Sequence, residues 1–259
     1  MQNSTPKISV VTPSLNNFDT IRVCIESIQQ QTVRAQHIII DGVSRDGSLE
    51  LIRQVSSPDS IIVSESDNSE YDAMNKGLAL ADGDFVGILN ADDYYAHDKV
   101  LEKVLNVFLD PEVGACYGDL VYVDQSDTSN VKRYWKAKSF RKERFYSGWM
   151  PPHPTFFLRR ELLAKYGYYR LDFSSAADYE FMLRYLLKYQ IKARYIPDVL
   201  VKMRIGGKSN FSLKQRLIAN RFDRKAWDVN GLKPRPWTLI LKPLSKIGQY
   251  LFPNKRCCA

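Results

Sequence analysis

The chain has 259 residues, 44% of them hydrophobic and 25% charged, which excludes disordered, collagen-like and low-complexity classes and allows a sizeable core. The net charge of +8 is unevenly spread: residues 1–130 carry 8 Lys and Arg against 21 Asp and Glu, net −13, and residues 131–259 carry 29 against 8, net +21. An acidic half followed by a basic half points to a cation held by the first and an anionic partner met by the second.

The opening MQNSTPKISVVTPS lacks a basic stretch followed by an apolar run and a small-residue cleavage site, so no secretory leader is expected. No run of about 18 apolar residues occurs, so no membrane-spanning helix is expected. Cys24, Cys116, Cys257 and Cys258 match neither a disulfide framework nor a zinc spacing, which fits a reducing cytosol; the terminal pair reads as frayed thiols without a role.

ISVVT at 8–12 reads as a short buried strand. Over 20–30, Ile21, Cys24, Ile25 and Ile28 recur at three- and four-residue steps and form one apolar helical face. A strand at 38–40 ends at Asp41, and a helix at 48–55 starts on Ser48 after Asp46 and Gly47. A strand at 61–63 precedes a helix at 71–81 closed by Asp82 and Gly83, and another strand covers 85–89. Apolar strands alternating with helices predict βαβ units: an α/β fold with a mostly parallel central sheet covered on both faces.

After Asp93 the pattern loosens into a helix at 98–108, strands at 115–123 and 131–135, TFFL at 155–158 and a strong helix at 178–189. No repeat or low-complexity linker interrupts the chain. The expectation is one domain over 1–205, with a nucleotide-binding half at 1–95 and an acceptor-binding half at 96–205, followed by a basic helical extension over 206–259.

Ligands of open parallel sheets bind outside the carboxyl ends of the strands. Thr12, Pro13, Ser14 and Asn16 follow the first strand, Asp41, Gly42 and Asp46 the second, Glu65 and Asp67 the third, and Asn90, Asp92 and Asp93 the fourth. Any one of these is an ordinary turn. Four in succession deliver oxygen ligands to one rim. Adjacent Asp92 and Asp93 repel each other unless a hard divalent cation, Mg²⁺ or Mn²⁺, sits between them and phosphate oxygens, which implies a nucleoside diphosphate. Neither GxGxxG nor GxxxxGK[ST] is present, so dinucleotide and P-loop chemistry are disfavoured.

TPSLN at 12–16, IIIDGVSRDGS at 38–48, SESDNSEYDAMNKGLALADGD at 64–84, LNADD at 89–93, HPTFFLRRELL at 153–163 and AADYEFMLR at 176–184 stand in an order that resembles the family 2 inverting glycosyltransferases of bacterial polysaccharide assembly. The resemblance covers roughly residues 6–210 and implies the GT-A fold. It implies that Pro13 and Asp41 hold base and ribose, that Thr12 and Asp67 line that pocket, that Asp92 contacts ribose or diphosphate, and that Asp93 ligates the metal. Asn90 stands where a strict DxD motif has its first acid, so metal binding is expected to be labile and completed by the sugar nucleotide.

Inverting transfer needs a base to take the acceptor hydroxyl proton. Asp178 matches the position of the family's catalytic acid; its plain alternative is a helix cap. Ala177 stands where the family often has Glu, so no neighbouring acid can replace it. His153, between prolines in PPHPT, either serves the diphosphate or metal or is a structural hydrogen-bonding residue. Trp149, Tyr168 and Tyr169 read as core before sugar-stacking platforms. Lys76 faces either the nucleotide or solvent.

Residues 202–259 hold 14 Lys and Arg against 2 Asp. A helix is expected over 213–230. Trp237, Ile240, Leu241, Leu244, Ile247 and Leu251 then mark an amphipathic segment interrupted by Pro243. Its expected place is an anionic leaflet, the alternative being the surface of the catalytic domain. The expected partners are a nucleotide-sugar donor, a lipid-linked or saccharide acceptor and an anionic membrane at the inner face of the cell membrane, with no nucleic acid. A sugar nucleotidyltransferase is a rival, but its glycine- and basic-rich loop after the first strand is replaced by TPSLNN. A non-catalytic module binding nucleic acid or anionic lipid is another; it leaves Asp41, Asp92, Asp93 and Asp178 without work.

Overall fold

Strand β1 (Ile8–Ser14) is buried along its whole length and lies between β2 (Ala35–Asp41) and β4 (Phe85–Ile88), parallel to both. A computed structural model describes residues 6–206 and 213–244. β3 (Ile61–Ser64) extends this parallel part on β2. The connecting helices α1 (Phe18–Gln29), α2 (Ser48–Val55) and α3 (Glu70–Leu80) bury one apolar face each; Ile21, Cys24, Ile25 and Ile28 are the buried residues of α1. α3 approaches β1 closely because Gly77 has no side chain: a Cβ there would lie 2.3 Å from Val11 Cγ1. Four strands therefore point their carboxyl ends at one rim.

The sheet then changes character. Its order is β3-β2-β1-β4-β8-β6-β9-β5, with β7 also on β6. β8 (Phe157–Arg159) is antiparallel to β4 and β6 (Ala115–Val123). β7 (Val131–Trp135) is antiparallel to β6, β9 (Ala193–Arg204) is parallel to β6, and the short β5 (Asp93–Tyr95) is antiparallel to β9. The expected parallel sheet thus holds for the first half and becomes mixed in the second. α4 (Val100–Phe108), α5 (Lys142–Tyr146), α6 (Glu161–Tyr166) and α7 (Ala177–Leu183) flank it, and α7 continues as a π-helical turn over Arg184–Lys188. β9 carries Pro197 and breaks register against β6 around Asp119, the behaviour of a strand that a proline would demote in a sequence reading.

The basic C-terminal helices α8 (Leu213–Val229) and α9 (Thr238–Leu244) pack on this body. Ala226 and Trp227 of α8 are fully buried in the main core, and the Trp227 indole donates to the Tyr179 hydroxyl at 2.9 Å. Lys242 of α9 bonds Asp223 at 2.7 Å and lies 3.6 Å from the Tyr179 ring centroid. Gly148, at φ +79, lets the α9 backbone in: a Cβ there would lie 2.4 Å from the Lys242 nitrogen. The expected boundary at 205/206 therefore separates elements that share one core. Within the described residues the tail takes the packed placement. Ile247, Leu251, Cys257 and Cys258 lie outside the described residues.

His37 of β2 is buried under the sheet edge, and burial holds its imidazole down to about pKa 3. The folded protein keeps it neutral while the unfolded chain protonates it near 6.5. Between these values the unfolded state binds the extra proton, so stability is full above pH 6.5 and falls as pH is lowered. Urea unfolding between pH 6.5 and 4.5 should show His37→Gln flattening the slope by up to about 1.4 kcal/mol per pH unit; an unchanged slope would contradict this account.

Candidate active site

The loops after β1 and β2 are laced together by side-chain to backbone bonds. The Asn16 amide donates to Ser44 Oγ and the Arg45 amide to Asn16 Oδ1, both at 2.9 Å. The Asn17 amide donates to Ser48 Oγ at 2.8 Å and the Phe18 amide to Asp46 at 3.1 Å. Asn16 and Val43 take left-handed backbone angles, φ 56 and 63. For a β-branched residue such as Val43 this is strained, and it persists because the surrounding bonds fix the loop.

Asp41 ends β2 opposite Ser14 and is fully buried. Its Oδ2 accepts from Ser64 Oγ at 2.7 Å and the Ser44 amide at 3.2 Å, while Oδ1 has no partner among the described residues. Pro13 is buried beside it on β1. Thr12 departs from expectation: its hydroxyl lies 3.0 Å from His37 Nε2 and 4.0 Å from Cys24 Sγ, with no exposed surface. It belongs to the floor under the rim, because side chains alternate along a strand and Thr12 falls on the α1 side.

Asp67 is held by Lys76, which donates to Asp67 Oδ1 at 2.7 Å and to the Ser66 carbonyl at 2.8 Å and pairs with Glu65 at 2.9 Å. Bonds to Asp67 and Glu65 raise the lysine's pKa above its ordinary value. Lys76 thus faces the acidic loop and fixes it.

Asn90, Asp92 and Asp93 form the turn between β4 and β5. Asp93 is fully buried; its Oδ2 accepts from Asn90 Nδ2 at 3.2 Å, and burial together with Asp92 pushes its carboxyl well above the usual range. Asp92 is partly exposed. Asp92 is the carboxylate at the surface and Asp93 lies beneath it. Asn90 Oδ1 and Asp93 Oδ1 are buried acceptors without a partner among the described residues. Orphaned hard oxygens beside a second carboxylate suit Mg²⁺ or Mn²⁺. Among the described residues no three His, Cys, Asp or Glu side chains group to hold a metal, so such an ion would need further oxygens from its ligand.

Asp178 is the second residue of α7. Among the described residues its side chain accepts the next amide, Tyr179, at 2.7 Å, a first-turn bond, and the cap position itself is Ala176, without a side-chain cap. The Asp178 backbone bonds the Tyr71 hydroxyl at the start of α3, and the Asp178 charge acts on Tyr71, Tyr169 and His153. His153 Nε2 lies 2.7 Å from the Tyr169 hydroxyl, and burial depresses its pKa against the opposing pull of Asp178. Tyr169 is buried, and Trp149 donates its indole proton to the Ala137 carbonyl at 2.7 Å among aromatic neighbours; both are structural. Tyr71, Glu70 and Arg204 join the site without having been singled out in the sequence. Tyr71 and Glu70 follow Ser69, whose hydroxyl caps α3, and a helix start at a strand end is the signal that would have found them.

An acidic rim on a parallel half-sheet, faced by a helix-borne acid from a mixed half, defines a GT-A transferase architecture. Residues 9–167 match glycosyl transferase family 2, and the chain belongs to that family. It is 33% identical over 185 residues, 70% of this chain and 69% of the relative, to the uncharacterized glycosyltransferase Rv1514c of Mycobacterium tuberculosis. It is 31% identical over 211 residues, 79% of this chain and 80% of the relative, to a PGL/p-HBAD biosynthesis glycosyltransferase of Mycobacterium bovis. Among solved structures, the mannosyltransferase PcManGT of Pyrobaculum calidifontis with GDP-Man and Mn²⁺ aligns over 92% of this chain and 69% of its own, with TM-score 0.63 and 19% identity. S. aureus TarS aligns over 85% of this chain with TM-score 0.60 and 16% identity, and the chain spans 43% of that protein's length.

Arg184, 7% exposed, donates to both Glu180 carboxylate oxygens at 3.0 Å and to the carbonyls of Tyr166, Gly167 and Tyr168, and Asn230, directly after α8, donates to Glu180 at 3.1 Å. This buried pair fixes α7, and so Asp178, against the Tyr169 segment. Glu180→Gln leaves the guanidinium uncompensated and should cost about 3–5 kcal/mol in a urea titration; a loss below about 1 kcal/mol would show that the pair does not hold the helix.

Proposed function

We propose that this glycosyltransferase moves a sugar from a nucleoside diphosphate donor, UDP-linked, to a hydroxyl of a lipid-linked or saccharide acceptor, with inversion, in cell-surface polysaccharide assembly. The observation that carries the reading is the placing of a partly exposed acid, Asp178, beside Tyr71 at the start of α3, the helix that follows the acidic rim. Support also comes from the fold neighbour PcManGT, solved with GDP-Man and Mn²⁺, and from TarS, solved with UDP-GlcNAc.

In this reading Pro13 and Asp41 hold base and ribose, and Asp67, fixed by Lys76, closes the same pocket. Asp92 and Asp93, with Asn90, hold Mg²⁺ or Mn²⁺. The ion supplies positive charge for the departing diphosphate. Asp178 takes the acceptor hydroxyl proton as that oxygen bonds the anomeric carbon and the bond to the diphosphate oxygen breaks on the opposite face. His153 steadies Tyr169 behind Asp178 and serves the diphosphate side only through that position. Thr12 supports the floor.

The acceptor is placed at an anionic membrane surface by the cations of the basic half. Lys136, Lys138, Arg141 and Lys142 are exposed and make no ion pair among the described residues, as are Lys233 and Arg235 beside Trp237, which is 49% exposed. The two groups meet where the Thr238 hydroxyl donates to the Tyr146 carbonyl at 2.7 Å. Clustered cations with an exposed Trp suit a headgroup layer. Among the described residues no helix is long and apolar enough to cross a membrane.

Asp178→Asn should lower kcat by about 10²- to 10⁴-fold with donor KM little changed, whereas Asp92→Asn should raise the metal and donor requirement together. Metal-dependent turnover of a panel of UDP, GDP and dTDP sugars reads both, and the anomeric configuration of the product by NMR reads inversion. Turnover by Asp178→Asn at the parental rate, or a retained configuration, sinks the mechanism.

A further inference from the structure

Arg204 ends β9 as a buried cation, 9% exposed, set against the Asn90 to Asp93 turn. The antiparallel pairing of β9 with β5 sets Met203 opposite Asp93 and so brings Arg204 alongside Asp92. Its Nη1 donates to the Asp92 carbonyl at 2.8 Å, and its guanidinium carbon lies 4.8 Å from the centroid of the Tyr94 ring. The Tyr94 face and the Asp92 carbonyl hold the charge in place whether or not anything is bound, as a planar guanidinium permits and a flexible ammonium does not. Its charge acts on Asp93 and on Cys24, whose thiol donates to the Asn90 carbonyl at 3.4 Å.

The charge count of the turn decides what it can capture. An acid at position 90 would give the turn three carboxylates; with Asn90 it has two, one of them enclosed, with Glu70 of α3 acting on Asp93 from outside the turn and Arg204 opposing both. A divalent cation arriving alone meets these acids together with a fixed positive neighbour. A diphosphate meets the same guanidinium as an attraction and brings the negative oxygens that the metal lacks.

On the reading that metal and diphosphate meet at this turn, we infer that Arg204 is a positioning residue that sets the order of binding: it weakens capture of the divalent ion alone and strengthens capture of the diphosphate, so that the ion is held with the nucleotide and not before it. Removing the charge should move the two affinities in opposite directions. A merely structural role would weaken both.

The test uses the full chain with two probes. Free Mn²⁺ is followed by electron paramagnetic resonance without nucleotide, and UDP binding is followed by calorimetry without metal. Arg204→Gln, which keeps a donor for the Asp92 carbonyl, should bind Mn²⁺ about tenfold more tightly and UDP about tenfold more weakly, the order expected for a unit charge acting through partly solvated protein. Arg204→Lys, which keeps the charge but loses the planar fork, should shift each affinity in the same direction as Arg204→Gln and by less. Equal weakening of both ligands in Arg204→Gln, or no change in either, overturns the assignment. Failure of the unaltered protein to bind UDP and Mn²⁺ together overturns the functional reading beneath it, a result distinguishable from the others because it needs no variant.

Discussion

The structure is organised around the repulsion of carboxylates gathered at one sheet edge. Parallel strands bring Asp41, Asp67, Asp92 and Asp93 to the same end because each strand starts from the opposite side, and nothing in the topology separates their charges. The chain meets the cost by a different device at each position. Asp41 is buried but accepts from Ser44 and Ser64. Asp67 is paired with Lys76. Asp93 is enclosed, with its carboxyl favoured in the neutral form and one oxygen on Asn90. Asp92 keeps solvent and has the Arg204 charge at its back. Oxygens on Asp41, Asn90 and Asp93 are left without partners among the described residues. A buried acceptor in that state costs about 1–3 kcal/mol, so the rim is least comfortable where a cation or a polar ligand would relieve it.

That discomfort can be tolerated only on a rigid frame. The two loops after β1 and β2 hold each other through four side-chain to backbone bonds, so the strained Val43 backbone is fixed rather than free to relax. On the other side of the cleft, Glu180 and Arg184 give α7 a buried electrostatic anchor that reaches three carbonyls before Tyr169 and the Asn230 side-chain amide directly after α8. Asp178 lies two residues upstream of that anchor. The acid expected to move a proton is therefore set beside a buried ion pair, and a base must be held within hydrogen-bond reach of its target.

What could be read from the sequence follows from how local the deciding interaction is. The β1 to β4 strands and α1 to α3 were legible because their burial repeats along the chain: Ile21, Cys24, Ile25 and Ile28 announce a helical face without reference to anything distant. The acids at strand ends were legible because a parallel sheet leaves them nowhere else to go. β5 was not, since three residues, Asp93 to Tyr95, are a strand only by pairing with β9 more than a hundred positions later. β9 itself was hidden by Pro197 and by charged residues that mimic the start of a solvated tail. The placing of Thr12 in the floor, and the difference in exposure between Asp92 and Asp93, depend on the direction of single side chains, which neither motif nor period specifies. Arg204 was counted as one more cation of a basic extension, because its partner Asp92 is 112 positions away.

The divided charge of the chain has, in consequence, two physical uses within its basic half. Some cations are structural: Arg184 is consumed by Glu180, Lys225 by Asp172 and Lys242 by Asp223 and the Tyr179 ring. Tyr179 is the residue after Asp178, so a cation of the last described helix packs directly behind the proposed base. Six further exposed cations fall on the 136–142 loop and the 233–237 turn, which are joined where Thr238 bonds the Tyr146 carbonyl. A tail that was only a membrane anchor would have no reason to bury Trp227 and Lys242 against α7. A tail that was only packing would have no reason to leave Lys233, Arg235 and Trp237 uncovered beside the four exposed cations of the 136–142 loop. Packing through one face while presenting the other lets the same helices support the α7 start that carries Asp178; on the proposed reading, in which the acceptor is lipid-borne, they would also set that acid at a fixed height above a charged surface.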